Sequence, residues 1–458
     1  MKKSGIVLLL GLLSVGLSQC HKAGEFPEAD YDARLSGGAA TVFDESSRAF
    51  SHGIAALTGW DLRIHELGDK HFEQTFVSAP APVNSGLGPI FNNVSCISCH
   101  HNDGKGTPTA GLANSSLLFR ISMPGEDNTG GPMLLDGYGG QVQDMAILGK
   151  QPEARVSIQY SNETVTYPDG NTATLRRPAY TMSSWYTGAE PAGCLISPRM
   201  APPVFGLGLL ELISEKTMLG MSDEQDADGN GIKGHPNYVY NPVTHKTEVG
   251  RFGLKASVPN IYVQVAAAYN QDMGITNTLF PKESCYGQPQ ADAYNDDPEL
   301  ADSVLNAVVF YIKTLAVPAR RDVANPAVLS GEKLFTQLDC AVCHRPTLQT
   351  DIDVRFAYLS NQRIHPYTDL LLHNMGDGLA DNRPDFKADG KEWRTAPLWG
   401  VGLFEKTNGT PYYLHDGRAR TLEEAILWHG GEAQQAKNKF MALSKGDRDN
   451  LIRFLKSL

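Results

Sequence analysis

Positive charge is the first thing this sequence has too little of. Lys and Arg number 40 against 51 Asp and Glu, for a formal net charge of −11, and no long basic run offsets the deficit. Nucleic-acid binding, which needs Lys and Arg clustered against phosphate, is therefore excluded as a function class. Long apolar runs are missing as well: beyond residue 17 no segment is apolar enough to cross a membrane. Histidine is absent from 102 to 234, and cysteine occurs only seven times. What remains is an ordinary globular balance, 41% apolar and 20% charged, in a length that fits two to three domains. Gly and Pro, at 45 and 27, point to much loop.

The start of the chain carries its own signal. Lys2 and Lys3 precede an apolar stretch from Ile6 to Leu17, and the stretch ends in LSQC at Cys20. This pattern predicts a secretory leader, too short for a stable membrane span. LSQC resembles a bacterial lipoprotein cleavage site, although Gln19 departs from the small residue usual before the Cys. The expectation is an exported, periplasmic protein, lipid-anchored through Cys20 or released by ordinary cleavage.

Four of the other cysteines fall into two CxxCH motifs, CISCH at 96–100 and CAVCH at 340–344. Cysteines three apart on one helical turn can add to both vinyl groups of one haem, and the adjacent His then reaches the iron. A redox CxxC or a zinc knuckle would use the cysteines but leave both histidines unexplained. The reading is two covalently bound c-type haems, held by Cys96, Cys99, Cys340 and Cys343, with His100 and His344 as proximal ligands. Cys194 and Cys285 are left over. In an oxidising compartment they suggest a disulfide closing about 90 residues and contributing roughly 4 kcal/mol; two buried free thiols are the alternative.

The expected fold class is mainly α: two cytochrome c-type haem domains, the first with long loop and β-hairpin insertions. The expected division is a leader at 1–20, a tether at 21–40, a first haem domain at 41–320 and a second at 321–458. VPARRDVANP at 317–326 marks the boundary, preceded by a long apolar-periodic helix and followed by another before the second motif. VSIQYSNETVTYPDGNTATLRRPAY (156–180) alternates around PDGN and reads as the inserted hairpin. There is also an internal echo: RMAPPVFGLGLLE (199–211) against RTAPLWGVGLFE (394–405), and DMG (272–274) against NMG (374–376).

These pieces together resemble the bacterial di-haem oxidoreductases known as thiol oxidoreductases, relatives of the di-haem cytochrome c peroxidases. The resemblance runs from LSGGAATVFD (35–44) to the end. It is carried by SGLGPIFNNVSCISCH, DADGNGI, RFGLKASVPN, DLLLHNMGDGLAD and YYLHDGRARTLEEAILWHGGEA. It implies a peroxidase-type enzyme in which the C-terminal haem passes electrons from a redox partner protein to an open N-terminal haem that meets peroxide. An electron-transfer cytochrome with both irons six-coordinate is the other reading. Homodimers occur among the relatives.

In peroxidases of this kind the residue fourteen after the HDG His supplies the second axial ligand of the C-terminal haem. That position here is His429, with Met375 as runner-up. On the first haem, the position sixteen after His100 is Ser116, so the resemblance implies an open iron there, unless Met273 closes it. Glu211, in the loop expected to pass the distal side, is the candidate acid/base; a surface Glu at a helix start is the plain alternative. Asp226, Asp228 and Asn230 resemble the start of a calcium loop, but Asn237 stands where an EF-hand needs a bidentate Glu, so a metal-free Asp/Gly turn is equally open. Trp393 and Trp399 are candidate electron relays or core; Arg394 and Arg418 are candidate propionate partners or solvated cations.

Overall fold

The computed structural model describes residues 32–112, 115–294 and 296–458. The expected leader and Cys20 lie outside those residues. Four of the five described helices of twelve or more residues frame the chain: α1 (Gly59–Glu73), α2 (Asp302–Lys313), α3 (Pro326–Gln337) and α4 (Lys445–Ser457). They pack in two crossed pairs, each at a glycine. A Cβ at Gly68 of α1 would collide with Ala307 O of α2, and one at Gly331 of α3 with Asn450 O of α4. Only a residue without a side chain lets two helix backbones approach so closely. An aromatic of the partner helix covers each glycine, Tyr311 in one pair and Phe454 in the other. The helix starts follow local rules: Asn325 caps α3 ahead of Pro326 at its first turn, and Ser444 caps α4.

The echo in the sequence is an echo in space. Gly206 and Gly400 both adopt left-handed backbone, φ +70° and +71°. Gly208 lies against Lys313 O at the end of α2, and Gly402 against Lys456 O near the end of α4. The aromatic before each first glycine packs on the other repeat. The Cβ position of Gly206 is 2.7 Å from Trp399 Cζ2, and that of Gly400 is 2.6 Å from Phe205 Cζ. Phe205 in turn stacks on Phe50 at 4.3 Å. The two halves therefore share one apolar core, in which Trp399 is fully enclosed.

Between these helices the first half carries strands. A three-stranded antiparallel sheet has Leu117–Ser122 at its centre, flanked by Gln141–Val142 and Leu195–Met200. The inserted hairpin forms two twelve-residue strands, β1 (Arg155–Thr166) and β2 (Thr172–Ser183), joined through Tyr167–Asn171. It lies across the second half: Tyr167 Oη donates to Glu423 at 2.6 Å, Arg448 pairs with Asp169 at 2.7 Å, and Tyr180 Oη donates to Asp416 at 2.8 Å.

This corrects the expected fold class. The described residues are 29% helix and 19% strand, mixed and with many small sheets, rather than mainly α. Most of the missed strands are two or three residues long, pairing loop to loop across long sequence separations, as Thr41–Val42 does with Val317–Pro318. Such pieces are too short to show an alternating pattern. The expected disulfide is also absent: Cys194 and Cys285 are both free thiols, Cys285 buried beside Glu283 and Cys194 beside Leu195 O.

Candidate functional site

Each CxxCH motif forms a single helical turn, Cys96–Cys99 and Cys340–Cys343. Ser95 caps the first by accepting from Ser98 N. One turn places residues three apart side by side, so each pair of thiols presents a common edge. The histidine that follows is oriented by a backbone carbonyl. His100 donates Nδ1–H to Pro202 O at 2.7 Å, and His344 to Tyr367 O at 3.1 Å. His429 does the same with Ala425 O at 2.7 Å. A carbonyl can only accept, so the proton sits on Nδ1 and Nε2 keeps its lone pair, the arrangement a metal-facing imidazole needs. Enclosure by the protein pushes His100 and His344 down to about 4 and lowers His429 too, so all three are neutral at physiological pH.

All three histidines and all four motif cysteines line one cavity of about 1220 Å³. That exceeds the roughly 300–1,000 Å³ of a single small-molecule site. Its walls are largely apolar, with Phe72, Phe205 and Ile261 in the first half and Phe335, Leu422 and Ile426 in the second. Burial pushes the Cys96 and Cys340 thiols up to about 12 and raises Cys99 and Cys343 too, the reverse of an activated redox thiolate. Among the described residues the four cysteines do not converge on a zinc geometry; the tight ligand-type groups are Cys343–Asp369–His373 and Asp223–Asp226–Asp228. Two large flat groups, each held by two thiols and a neutral imidazole, fit this cavity.

The two halves treat the other side of the cavity differently. In the second, His429 closes the helix Leu422–Trp428 and stands near enough to His344 for the two rings to influence each other electrostatically. Met375 also reaches the wall. Nearby, His373 is gripped by Asp369 at 2.9 Å and Glu432 at 2.8 Å. Burial pulls its pKa down, but the hydrogen bonds of Asp369, Cys343 and Glu432 hold it well above the ordinary value, as a cation beside the second motif. Sequence reasoning gave His373, Asp369 and Glu432 no role; the only trace was the LLLHNMG string itself.

In the first half the helix Ile261–Met273 passes the cavity. Gln264, Gln271 and Asp272 line the wall, and Arg120 donates to Gln271 Oε1. Burial raises the Asp272 carboxyl, which accepts from Gln141 Nε2 at 2.8 Å. Met273 reaches the wall from the helix end and belongs to the shared core. The imidazoles on the cavity wall are His100, His344, His373, His415 and His429. His415 lies flat on Trp393, 3.8 Å between centroids and 11° between planes. Ser116 is fully buried, bonded to Thr107 N and off the wall.

Glu211 does not reach the cavity wall. Its Oε1 accepts from Ile261 N at 2.8 Å, capping the helix, and its Oε2 pairs with Lys313. Asp226 and Asp228 join Asp223, which sequence reasoning passed over, in a group whose ligand-type oxygens lie within 4.8 Å of one another. Asn230 donates to Asp228 and accepts from Ile232 N, while Asp226 accepts from Gly231 N, so much of the group's capacity is spent on its own turn. Trp393 sits on the wall between Lys255 at 4.7 Å and Arg199 at 5.2 Å. Arg394 lines the cavity and donates to Gly253 O, whereas Arg418 is taken up by Asp416 and Gly378 O.

No curated protein matches the chain. Residues 31–458 match the family described as "Di-haem oxidoreductase, putative peroxidase". With two CxxCH turns opening on one cavity and nearly the whole chain inside the match, the protein belongs to the di-haem oxidoreductase family.

Proposed function

We propose that this is an exported c-type enzyme that reduces peroxide at the first-half haem with electrons received through the second. The observation that carries the reading is the asymmetry of the imidazoles. His429 lines the same cavity as His344 and is near enough to influence it, while among the described residues on the wall no further imidazole is free for His100: His373 is held by two carboxylates and His415 lies on Trp393. Bound haem would supply reversible electron storage at both positions and, at the first, a place for a small oxygen ligand.

The chain's own residues then have distinct tasks. His100, His344 and His429, their Nδ1 atoms held by carbonyl partners, would offer Nε2 to the haem irons. Arg120 and Gln271 present donors to a small oxygen ligand at the first-half wall, and Asp272, kept protonated more readily by burial, can hold a proton there. Glu211 contributes by fixing the helix that carries Gln264 and Gln271. A redox partner protein supplies the electrons. Attachment through thioethers suits a protein outside the cytoplasm, in keeping with the Lys2–Cys20 leader, and no described helix is long and apolar enough to cross a membrane.

Mass analysis of the purified protein is expected to show two haems, and its ferric spectrum one high-spin and one low-spin component. His429→Ala is expected to convert the low-spin component to high-spin and to raise the potential of that haem, with both haems retained. A wild-type spectrum with two low-spin haems would instead support a pure electron carrier, closed on the first side by Met273.

A further inference from the structure

The two helices that pass the haem cavity are counterparts, and four features fix their register. An isolated bridge joins Phe252 to Val258 in one half and Tyr413 to Ala419 in the other. Left-handed backbone occurs at Gly253 and Leu414, φ +79° and +68°, and again at Ala256 and Gly417, φ +48° and +72°. Asn260 caps the first helix by accepting from Val263 N, and Thr421 caps the second by accepting from Glu424 N. Every pair has the same separation in sequence. Counting eight residues past each cap reaches His429 in the second half and Ala268 in the first.

We infer that Ala268 is the residue that sets the coordination of the first iron: it occupies the ligand position of the repeat and, by ending at Cβ, keeps that face open to a small exogenous ligand. The inference rests on the proposed open iron and says which residue makes it open. Ala268 is half-buried and lies on the wall of the cavity that holds His100. Gln264 and Gln271 flank it one turn away on the same helix face and line the wall too. A methyl between two amides leaves room for a diatomic or peroxide-sized molecule and gives it hydrogen-bonding neighbours, with Arg120 behind Gln271. Met273 is five residues further on, about 140° around the helix from Ala268, so it does not share this position.

The local backbone shows how the same register gives two outcomes. The second helix ends at Trp428, and His429 leaves it with extended backbone, φ −58° and ψ 138°, its Nδ1–H returning to Ala425 O. The first helix continues through Ala268 to Met273, so that turn is closed by backbone bonding instead.

The test uses the full-length holoprotein and cyanide as the probe. In the wild type, cyanide is expected to convert a high-spin ferric component to low-spin. Ala268→His is expected to remove that component without cyanide. Ala268→Leu is expected to keep the iron high-spin while weakening cyanide binding at least about tenfold, because the added methylenes fill the ligand's space. Haem content, measured as the pyridine adduct, confirms that each variant is loaded. If the wild type has a high-spin haem but both variants bind cyanide as it does, Ala268 is not the gate, and the open-iron reading survives without it. If the wild type has no high-spin haem, the open-iron reading itself fails and the inference falls with it.

Discussion

The helix Ile261–Met273 and the helix Leu422–Trp428 start alike and end differently. Both are capped by a side chain, both follow a bridge of identical span, and both run along one wall of the same cavity. The second stops after seven residues and hands the cavity a histidine; the first runs for thirteen and hands it amides and the half-buried carboxylate of Asp272. The scaffold positions are shared, and the chemistry is decided by one side chain and by where the helix stops. The surroundings diverge in the same sense. Behind the first wall lies a polar network from the segment ahead of the hairpin, with Gln141, Gln143 and Glu153 buried. Behind the second stand His373 and its two carboxylates.

The strongest challenge to this comparison is to its shared part. Gly68→Ala and Gly331→Ala each push a methyl into a backbone carbonyl of the crossing helix. Each is expected to cost about 3 kcal/mol or more, at the upper end for overpacking. Because the halves share one core, both should lower the same cooperative thermal transition. Two separate transitions, with only one shifted by each variant, would show the halves to be independent.

A second prediction concerns only the first half. Glu153 is fully buried, and burial lifts its carboxyl from the usual 4.5 to about 7. Between those values the folded state binds a proton that the unfolded chain has lost, so stability falls as pH rises through that window. The span corresponds to roughly 3 kcal/mol. Glu153→Gln should remove the slope, since Gln288 has an unpartnered Oε1 that can turn to accept from the new amide. Equal slopes for wild type and variant in denaturant titrations from pH 4 to 8 would rule Glu153 out as their source.

How much of this was legible in the sequence depends on how locally each feature is encoded. The CxxCH turns are contiguous strings, and their meaning does not depend on the rest of the fold. His429 was reached by a fixed count from His415, and because a helix converts residue number into position the count lands on a residue of the cavity wall. Glu211 shows the limit. Its place in the echoed loop was right, but which way its side chain points is set by Lys313 and Ile261, about 100 and 50 residues away. His373 was missed for a related reason: Asp369 is a local partner, but Glu432, 59 residues on, meets the ring only through the fold. Strands of two residues carry no period at all, and so the helical share was overestimated.

Glu211 also yields the next test, a smaller one. Glu211→Gln keeps an oxygen for Ile261 N but leaves Lys313 without its carboxylate. The expected cost is about 1 kcal/mol, with peroxide turnover changed by less than about twofold. A large loss of turnover at unchanged thermal stability would return Glu211 to an acid/base role.

The smallest effect is expected where the first half holds the second. Tyr167, at the turn of the hairpin, donates to Glu423 on the helix that ends in His429, and Arg177 of β2 lies 4.8 Å over the ring of Trp428, the residue before that histidine. Tyr167→Phe removes one hydrogen bond to a carboxylate and leaves the buried ring in place, at a cost of about 1 kcal/mol. If the hairpin only adds stability, the low-spin spectrum of the second haem should be unchanged while the melting temperature drops by about a degree. If it also presses His429 into place, the variant should show a high-spin fraction that grows on warming, well below the melting transition. Either spectrum decides whether the inserted strands belong to the scaffold or to the ligand set, because the hydrogen bond touches the helix and not the cavity.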